Sequence, residues 1–279
     1  MIYLIASIFS STMILALFRL LDRSQAVTRH AICLSYLAAA LTGVLFFQTA
    51  GLHFSDSWFY LAALEGAAFY IVFRLIGVTT QVCGVAVASI ATKMSVVIPV
   101  AMGLILLGES VHIYKTLGIA LGVISVLLAA GDRVSVNNWL LPIAAFFGTG
   151  LIDASFKMFQ VWGLEDASIA SFTVTIFIFA FATSLAHHLI LPNRSINRFS
   201  VIYGVLLGCA NFGSAFFIMK ALSTSSMESS VLYPLNHFGV VISSTVVAVV
   251  LFREALGVMA GFALALALAA IVLLAMATM

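Results

Sequence analysis

Charged and strongly polar positions are sparse along this chain, and the stretches between them run apolar for about 20 residues at a time. That is the length of helix needed to cross the hydrocarbon core of a bilayer. The period-two alternation of half-buried strands is absent, so the pattern predicts helices and not a barrel. Ten such segments can be drawn: Ile2–Leu21, His30–Thr49, Trp58–Val78, Gly84–Leu107, Tyr114–Ala130, Trp139–Gln160, Ala167–Leu191, Val201–Leu222, Glu228–Phe252 and Ala255–Thr278. The joining stretches are short and none is long enough for a separate soluble domain. Function is therefore expected inside the helix bundle.

Composition sharpens the class. Hydrophobic residues make up 63% of the 279 residues and charged residues only 8%, against about 25% charge in a soluble domain. The fold class expected is an all-α integral membrane protein. A net charge of +2 gives no basis for a nucleic-acid partner. Cys33, Cys83 and Cys209 sit in apolar runs without metal-ligand spacing, and are expected to be small buried hydrophobes. There is no His-Glu-x-x-His and no glycine-rich phosphate loop, so neither enzyme chemistry nor a metal or other cofactor is expected. The first segment lacks the positive flank and cleavage site of a signal peptide and is expected to be retained. The expected location is the bacterial inner membrane. The expected partners are a small-molecule solute and membrane lipid, with the chain a monomer or weak homodimer.

The second half of the chain echoes the first. Gly66-Ala-Ala-Phe-Tyr-Ile71 matches Gly213-Ser-Ala-Phe-Phe-Ile218, and Phe18-Arg19 matches Phe156-Lys157. Glu109 and Gly118 match Glu254 and Gly261. The offsets lie between 138 and 147 residues, or five helices. Five is odd, so two copies, residues 1–133 and 134–279, would cross the membrane in opposite senses and together form one transport domain. Inverted repeats of this kind mark transporters, with the binding site near the midplane between the halves.

The unit Ser95, Pro99, Gly108-Glu109, Leu117-Gly118 and Gly122 resembles the repeat of the drug/metabolite transporter superfamily, in its EamA-like branch. The resemblance runs over the whole chain. It implies a ten-helix secondary transporter with a central cavity lined by the first, third, fourth, sixth, eighth and ninth segments. The copies differ: Pro99 stands ten residues before Glu109, and Pro234 twenty before Glu254. Orientation divides the two arguments. Arg19, Arg23, Arg29, Arg74, Arg133, Arg194, Arg198 and Arg253 flank the odd-numbered loops. The positive-inside rule then puts both termini outside, whereas the resemblance implies termini inside.

The candidate chemistry is intramembrane. Lys93 lies near the middle of the fourth segment with Ser89 and Thr92 on its face. A charge at that depth costs about 2.5–3.5 kcal/mol on insertion scales and normally faces a cavity or partner. Glu65, one turn before Phe69, could meet Lys93 as a buried pair or exchange a proton as a coupling acid. The ninth segment carries Tyr233, Asn236 and His237 around Pro234, donors and acceptors without fixed charge. Asp153 and Lys157 are spaced for an intrahelical pair, serving either as a gate or as structure. Asn211 is placed to reach the cavity. Gly118-x-x-x-Gly122 and Gly204-x-x-x-Gly208 allow close helix approach, within the chain or in a dimer seam.

These observations predict an alternating-access transporter of a small polar metabolite, such as an amino acid or another zwitterionic or anionic solute, with proton coupling as an added expectation. Substrate contacts are assigned to Lys93, Glu65, Ser89, Phe69, Asn211, Tyr233, Asn236 and His237. Coupling or gating is assigned to Glu65, Asp153, Lys157, Pro99 and Pro234. The competing readings are a lipid flippase and a membrane-embedded enzyme or scaffold.

Overall fold

The computed structural model describes residues 1–24, 26–47, 58–106, 113–132, 138–161, 166–190, 197–224 and 229–276. Among them every regular element is an α-helix. In chain order these are α1 (Ile2–Asp22), α2 (Thr28–Phe47), α3 (Phe59–Cys83), α4 (Val85–Met94), α5 (Val97–Leu106), α6 (Ile113–Asp132), α7 (Leu140–Val161), α8 (Asp166–Ile190), α9 (Arg198–Thr224), α10 (Ser229–Val250) and α11 (Val258–Met276). Among the described residues, seven stretches are long and apolar enough to cross a membrane, and one of these, Val85–Met102, runs through both α4 and α5. The chain is an all-α membrane protein, with Ile5, Phe9, Leu45, Tyr60, Leu64, Ile71, Leu151 and Phe262 exposed on its outer surface. In lipid such positions cost nothing, and helices associate through packing and polar contacts instead.

Two expected boundaries shift for identifiable reasons. The apolar pattern ends the third segment at Val78, but α3 continues to Cys83. Thr79 and Thr80 donate to the carbonyls of Leu75 and Ile76 one turn back, and Gln81 donates to Thr28 Oγ1 at 2.8 Å. With their polar groups satisfied, these residues stay helical inside the protein. The fourth segment, expected as one helix, is two. Pro99 has no N–H to give the Ser95 carbonyl four residues back. Ile98 N–H takes that carbonyl instead at 2.8 Å, and the helix breaks at Ser95–Val96. The Gly108-Glu109-Ser110 hinge lies outside the described residues.

The helices pack in recurrent pairings. α1 lies on α9 and α10, while α7 lies on α3 and on α4 and α5. α2 meets α8, α4 meets α10, and α6 meets α11. A Cβ on Gly118 or Gly122 would strike Leu274 or Val97, and one on Gly204 or Gly208 would strike Leu34 or the Ser35 carbonyl. Both small-residue motifs therefore serve seams within the chain. One core packs Phe18, Tyr36, Tyr70, Phe73, Phe177 and Phe212 between α1, α2, α3, α8 and α9. A second packs Ile90, Met94, Val126, Val241 and Ile271 between α4, α6, α10 and α11.

Helix ends show the direction of each crossing. At one end of the bundle Arg19 Nη1 donates to the Gln81 carbonyl at 2.7 Å, and Arg23 Nη2 to the Phe252 carbonyl at 3.1 Å. Val27 N–H donates to Ser200 Oγ at 2.9 Å, and Thr79 Oγ1 reaches the Leu141 carbonyl at 3.4 Å. This arginine-rich end thus collects the ends of α1, α3 and α10 with the starts of α2, α4, α7 and α9. α1 finishes at the end where α7 begins.

Candidate functional site

The break between α4 and α5 stands ten residues into the stretch, with at least ten described residues of helix beyond it, so it falls well inside the span. Two opposite charges flank it. Lys93 occupies the last turn of α4, where a cation complements the negative end of the helix dipole. Across the break, Ser95 Oγ donates to Asp153 Oδ2 of α7 at 3.1 Å. Asp153 therefore stands by the first turn of α5, where a carboxylate is favoured for the converse reason. Discontinuous membrane helices expose backbone groups and dipole ends at mid-depth in this way.

Lys93 and Asp153 act on one another electrostatically. Among the described residues, however, no carboxylate lies within 4 Å of the Lys93 ammonium, and the ammonium makes no hydrogen bond. Lys93 and Asp153 are each only partly exposed. A cation and an anion set near one another without closing into a pair can hold a solute bearing both charges.

Around this pair stand other polar groups. Glu65 on α3 is 8% exposed, and its Oε1 has no hydrogen-bond partner. Its electrostatic neighbours are Ser155 and Asp153 of α7. Glu65 and Lys93 form no direct pair; the acid that faces Lys93 is Asp153. His237 on α10 lies within electrostatic reach of Lys93. His237 Nδ1 and the Oδ1 of neighbouring Asn236 are buried without partners. Asn211 on α9 is likewise buried with a free Nδ2. No hydrogen bond joins its amide to the Lys93 group.

Other candidates are engaged elsewhere. Ser89 Oγ accepts from Ser244 Oγ at 2.5 Å, and both residues are wholly buried. They stitch α4 to α10, as Thr12 and Ser243 at 2.6 Å stitch α1 to α10. The Phe69 ring packs against Phe177, and its carbonyl accepts from the Tyr36 hydroxyl at 3.0 Å. Pro99 is buried within α5 at the break. Tyr233 and Pro234 fall in α10 and Lys157 in α7, and their side chains lie outside the described part of the structure.

The arginine end carries contacts that residue spacing did not bring together. Glu254, just after α10, accepts the Val85 N–H on both carboxylate oxygens at 3.0 and 3.2 Å, capping α4. The same carboxylate pairs with Arg19 Nε at 3.2 Å. Gly84 takes φ +93°, and a Cβ there would lie 2.8 Å from Glu254 Oε2, so only glycine fits. The sequence held a signal for this cluster: Arg19 and Glu254 were each matched by a like charge, Lys157 and Glu109, in the expected repeat.

No family model matches the chain. A protein of Haemophilus influenzae (strain ATCC 51907 / DSM 11121 / KW20 / Rd), described as uncharacterized, is 23% identical over 269 residues, covering 90% of this chain and 89% of its own. One solved crystal structure superposes with a TM-score of 0.67 at 15% identity, covering 99% of this chain and 97% of its own. That likeness is one of fold.

Proposed function

We propose that the protein is an alternating-access transporter of a small polar solute carrying both an acidic and a basic group, such as an amino acid. The observation that carries this reading is the arrangement at the α4–α5 break, where Lys93 and Asp153 stand on either side of the break and act on one another without closing into a pair. In this reading Lys93 holds the solute's carboxylate and Asp153 its ammonium. Asn236 and His237 supply further hydrogen bonds, and Glu65, a buried carboxyl with an unengaged oxygen, carries the coupling proton.

The architecture proposed is ten membrane crossings in two inverted five-helix halves, with α4 and α5 forming one crossing. Three observations support it. α1 and α7 run in opposite directions. The pairing of α1 with α9 and α10 has its counterpart in that of α7 with α3, α4 and α5. The pairings α2 with α8, α4 with α10 and α6 with α11 map onto themselves when the halves are exchanged. The Arg19–Glu254–Val85 cluster then closes the arginine end. Lys157 and Glu109, at the equivalent sequence positions, would close the opposite end in the alternate state.

A thermal-stability screen of purified protein against polar solutes tests the reading. A solute held at 100 times its Kd stabilises the folded state by about 2.7 kcal/mol. Amino acids are expected to raise the midpoint of wild type and to leave Lys93→Ala unmoved. Protection that is equal in both proteins would remove Lys93 from the site.

A further inference from the structure

Lys93 and Asp153 answer two charges that every amino acid carries, so they do not tell one amino acid from another. The side chain does, and α10 carries two groups that nothing in the protein answers. Asn236 and His237 are each 6% exposed, so both are packed within the bundle and away from lipid. Among the described residues, Asn236 Oδ1 and His237 Nδ1 have no hydrogen-bond partner. Buried polar atoms are almost always paired, and an unpaired one inside a membrane is costly.

The register of the helices places this pair at the break. Ser89 of α4 meets Ser244 of α10 at 2.5 Å. The two helices run in opposite directions, since Glu254, just after α10, caps the start of α4. Seven residues on from Ser89 is Val96, in the break, and seven back from Ser244 is His237. His237 therefore comes level with the break, within electrostatic reach of Lys93. The same holds across α3 and α7, which meet at Thr79 and Leu141. Fourteen residues back from Thr79 is Glu65, and fourteen on from Leu141 is its neighbour Ser155. Asp153 lies two residues before Ser155 and contacts Ser95 at the break. The α10 pair and the charges of α4 and α7 share one level of the bundle.

An amide oxygen only accepts, whereas a histidine nitrogen donates or accepts according to the ring's tautomer. An aliphatic side chain set against Asn236 and His237 would leave both unpaired. A carboxylate has nothing to donate to Asn236 Oδ1. An ammonium or guanidinium would add a second cation near Lys93. A hydroxyl or a carboxamide donates to the one and pairs with the other without adding charge. We infer that Asn236 and His237 select the solute's side chain, and that the preferred solutes are amino acids with an uncharged hydroxyl or carboxamide side chain. The inference rests on the reading of Lys93 and Asp153 given above.

Pairs of amino acids that match in shape test it: serine against 2-aminobutyrate, threonine against valine, and asparagine against leucine. Each is titrated into purified protein, and the concentration giving half-maximal thermal protection is read. In at least one pair the polar member should protect wild type at a concentration about tenfold lower than its apolar match. Asn236→Leu should bring the two members of that pair together, and His237→Leu supplies the comparison if Asn236→Leu does not fold. Apolar members that protect as well as the polar ones in every pair would overturn the inference and leave the zwitterion reading standing. So would a preference undiminished in Asn236→Leu or, where that variant does not fold, in His237→Leu. Protection by no amino acid, lysine and glutamate included, would overturn the zwitterion reading and this inference with it.

Discussion

Arg19 and Glu254 meet at 3.2 Å although one ends the first helix and the other follows the tenth. Their side chains are 20% and 15% exposed, and Glu254 also caps α4 through Val85 N–H. A partly buried carboxylate with two roles is worth more than a surface ion pair. Replacing Glu254 with Gln keeps an acceptor for Val85 and removes the charge. The expected cost is about 1–3 kcal/mol, read as a lower thermal midpoint. A cysteine placed at position 93 should become more reactive to polar thiol reagents from the arginine end. Unchanged reactivity would separate this pair from gating.

Glu109→Gln provides the mirror experiment. If Glu109 closes the opposite end in the alternate state, its loss should favour the state seen here and lower that reactivity below wild type. A change in the same direction as Glu254→Gln would break the proposed symmetry between the two ends.

Gly84→Ala tests the same junction through the backbone. The alanine must adopt φ +93° and place its Cβ 2.8 Å from Glu254 Oε2. Positive φ alone costs about 1–3 kcal/mol, and displacing Glu254 would add the loss of the α4 cap. Denaturation should show a drop at least that large, and a second substitution, Glu254→Gln, should cost less on top of Gly84→Ala than in wild type. Additive losses would show that the two residues do not act together.

Pro99→Ala would restore an N–H to the Ser95 carbonyl and straighten the α4–α5 span. Helix propensity favours alanine by about 3 kcal/mol in a helix interior, so stability should hold or rise. Solute-dependent stabilisation should fall, because Ser95 would turn away from Asp153. A variant that keeps full ligand response would show that the break is not needed to build the site.

Much of this was legible in the sequence, and the reasons are local. Apolar run length reports membrane crossing directly, and the cost of Lys93 and Pro99 in lipid singles out one crossing. The acid that acts on Lys93 was not legible, because Asp153 comes from the other half of the chain. Spacing along one helix favoured Lys157 as its mate, and neighbouring helices favoured Glu65 for Lys93. Ser89 shows a similar limit. Its place on the Lys93 face suggested a cavity, but Ser244, arriving from α10, takes its hydroxyl. The residues at the arginine end were visible in the sequence as recurring charges, while their meeting depends on α1 and α10 finishing at the same end of the bundle where α4 begins.

Glu65→Gln fixes the carboxyl in its uncharged shape. Uptake by wild-type proteoliposomes should rise with a proton gradient across the membrane, and uptake by the variant should ignore it while remaining saturable. A variant still accelerated by the gradient would take the coupling proton away from Glu65.

The central claim is that Lys93 and Asp153 hold a solute at the α4–α5 break. Uptake of a panel of radiolabelled amino acids into proteoliposomes measures it most directly, with wild type compared against Lys93→Ala and Asp153→Asn in samples of matched folding. The account predicts saturable uptake of at least one member of the panel by wild type, with kcat/KM reduced about 100-fold or more in each variant, as for loss of a buried charged contact. No saturable uptake by wild type, or uptake that survives both substitutions, would contradict it.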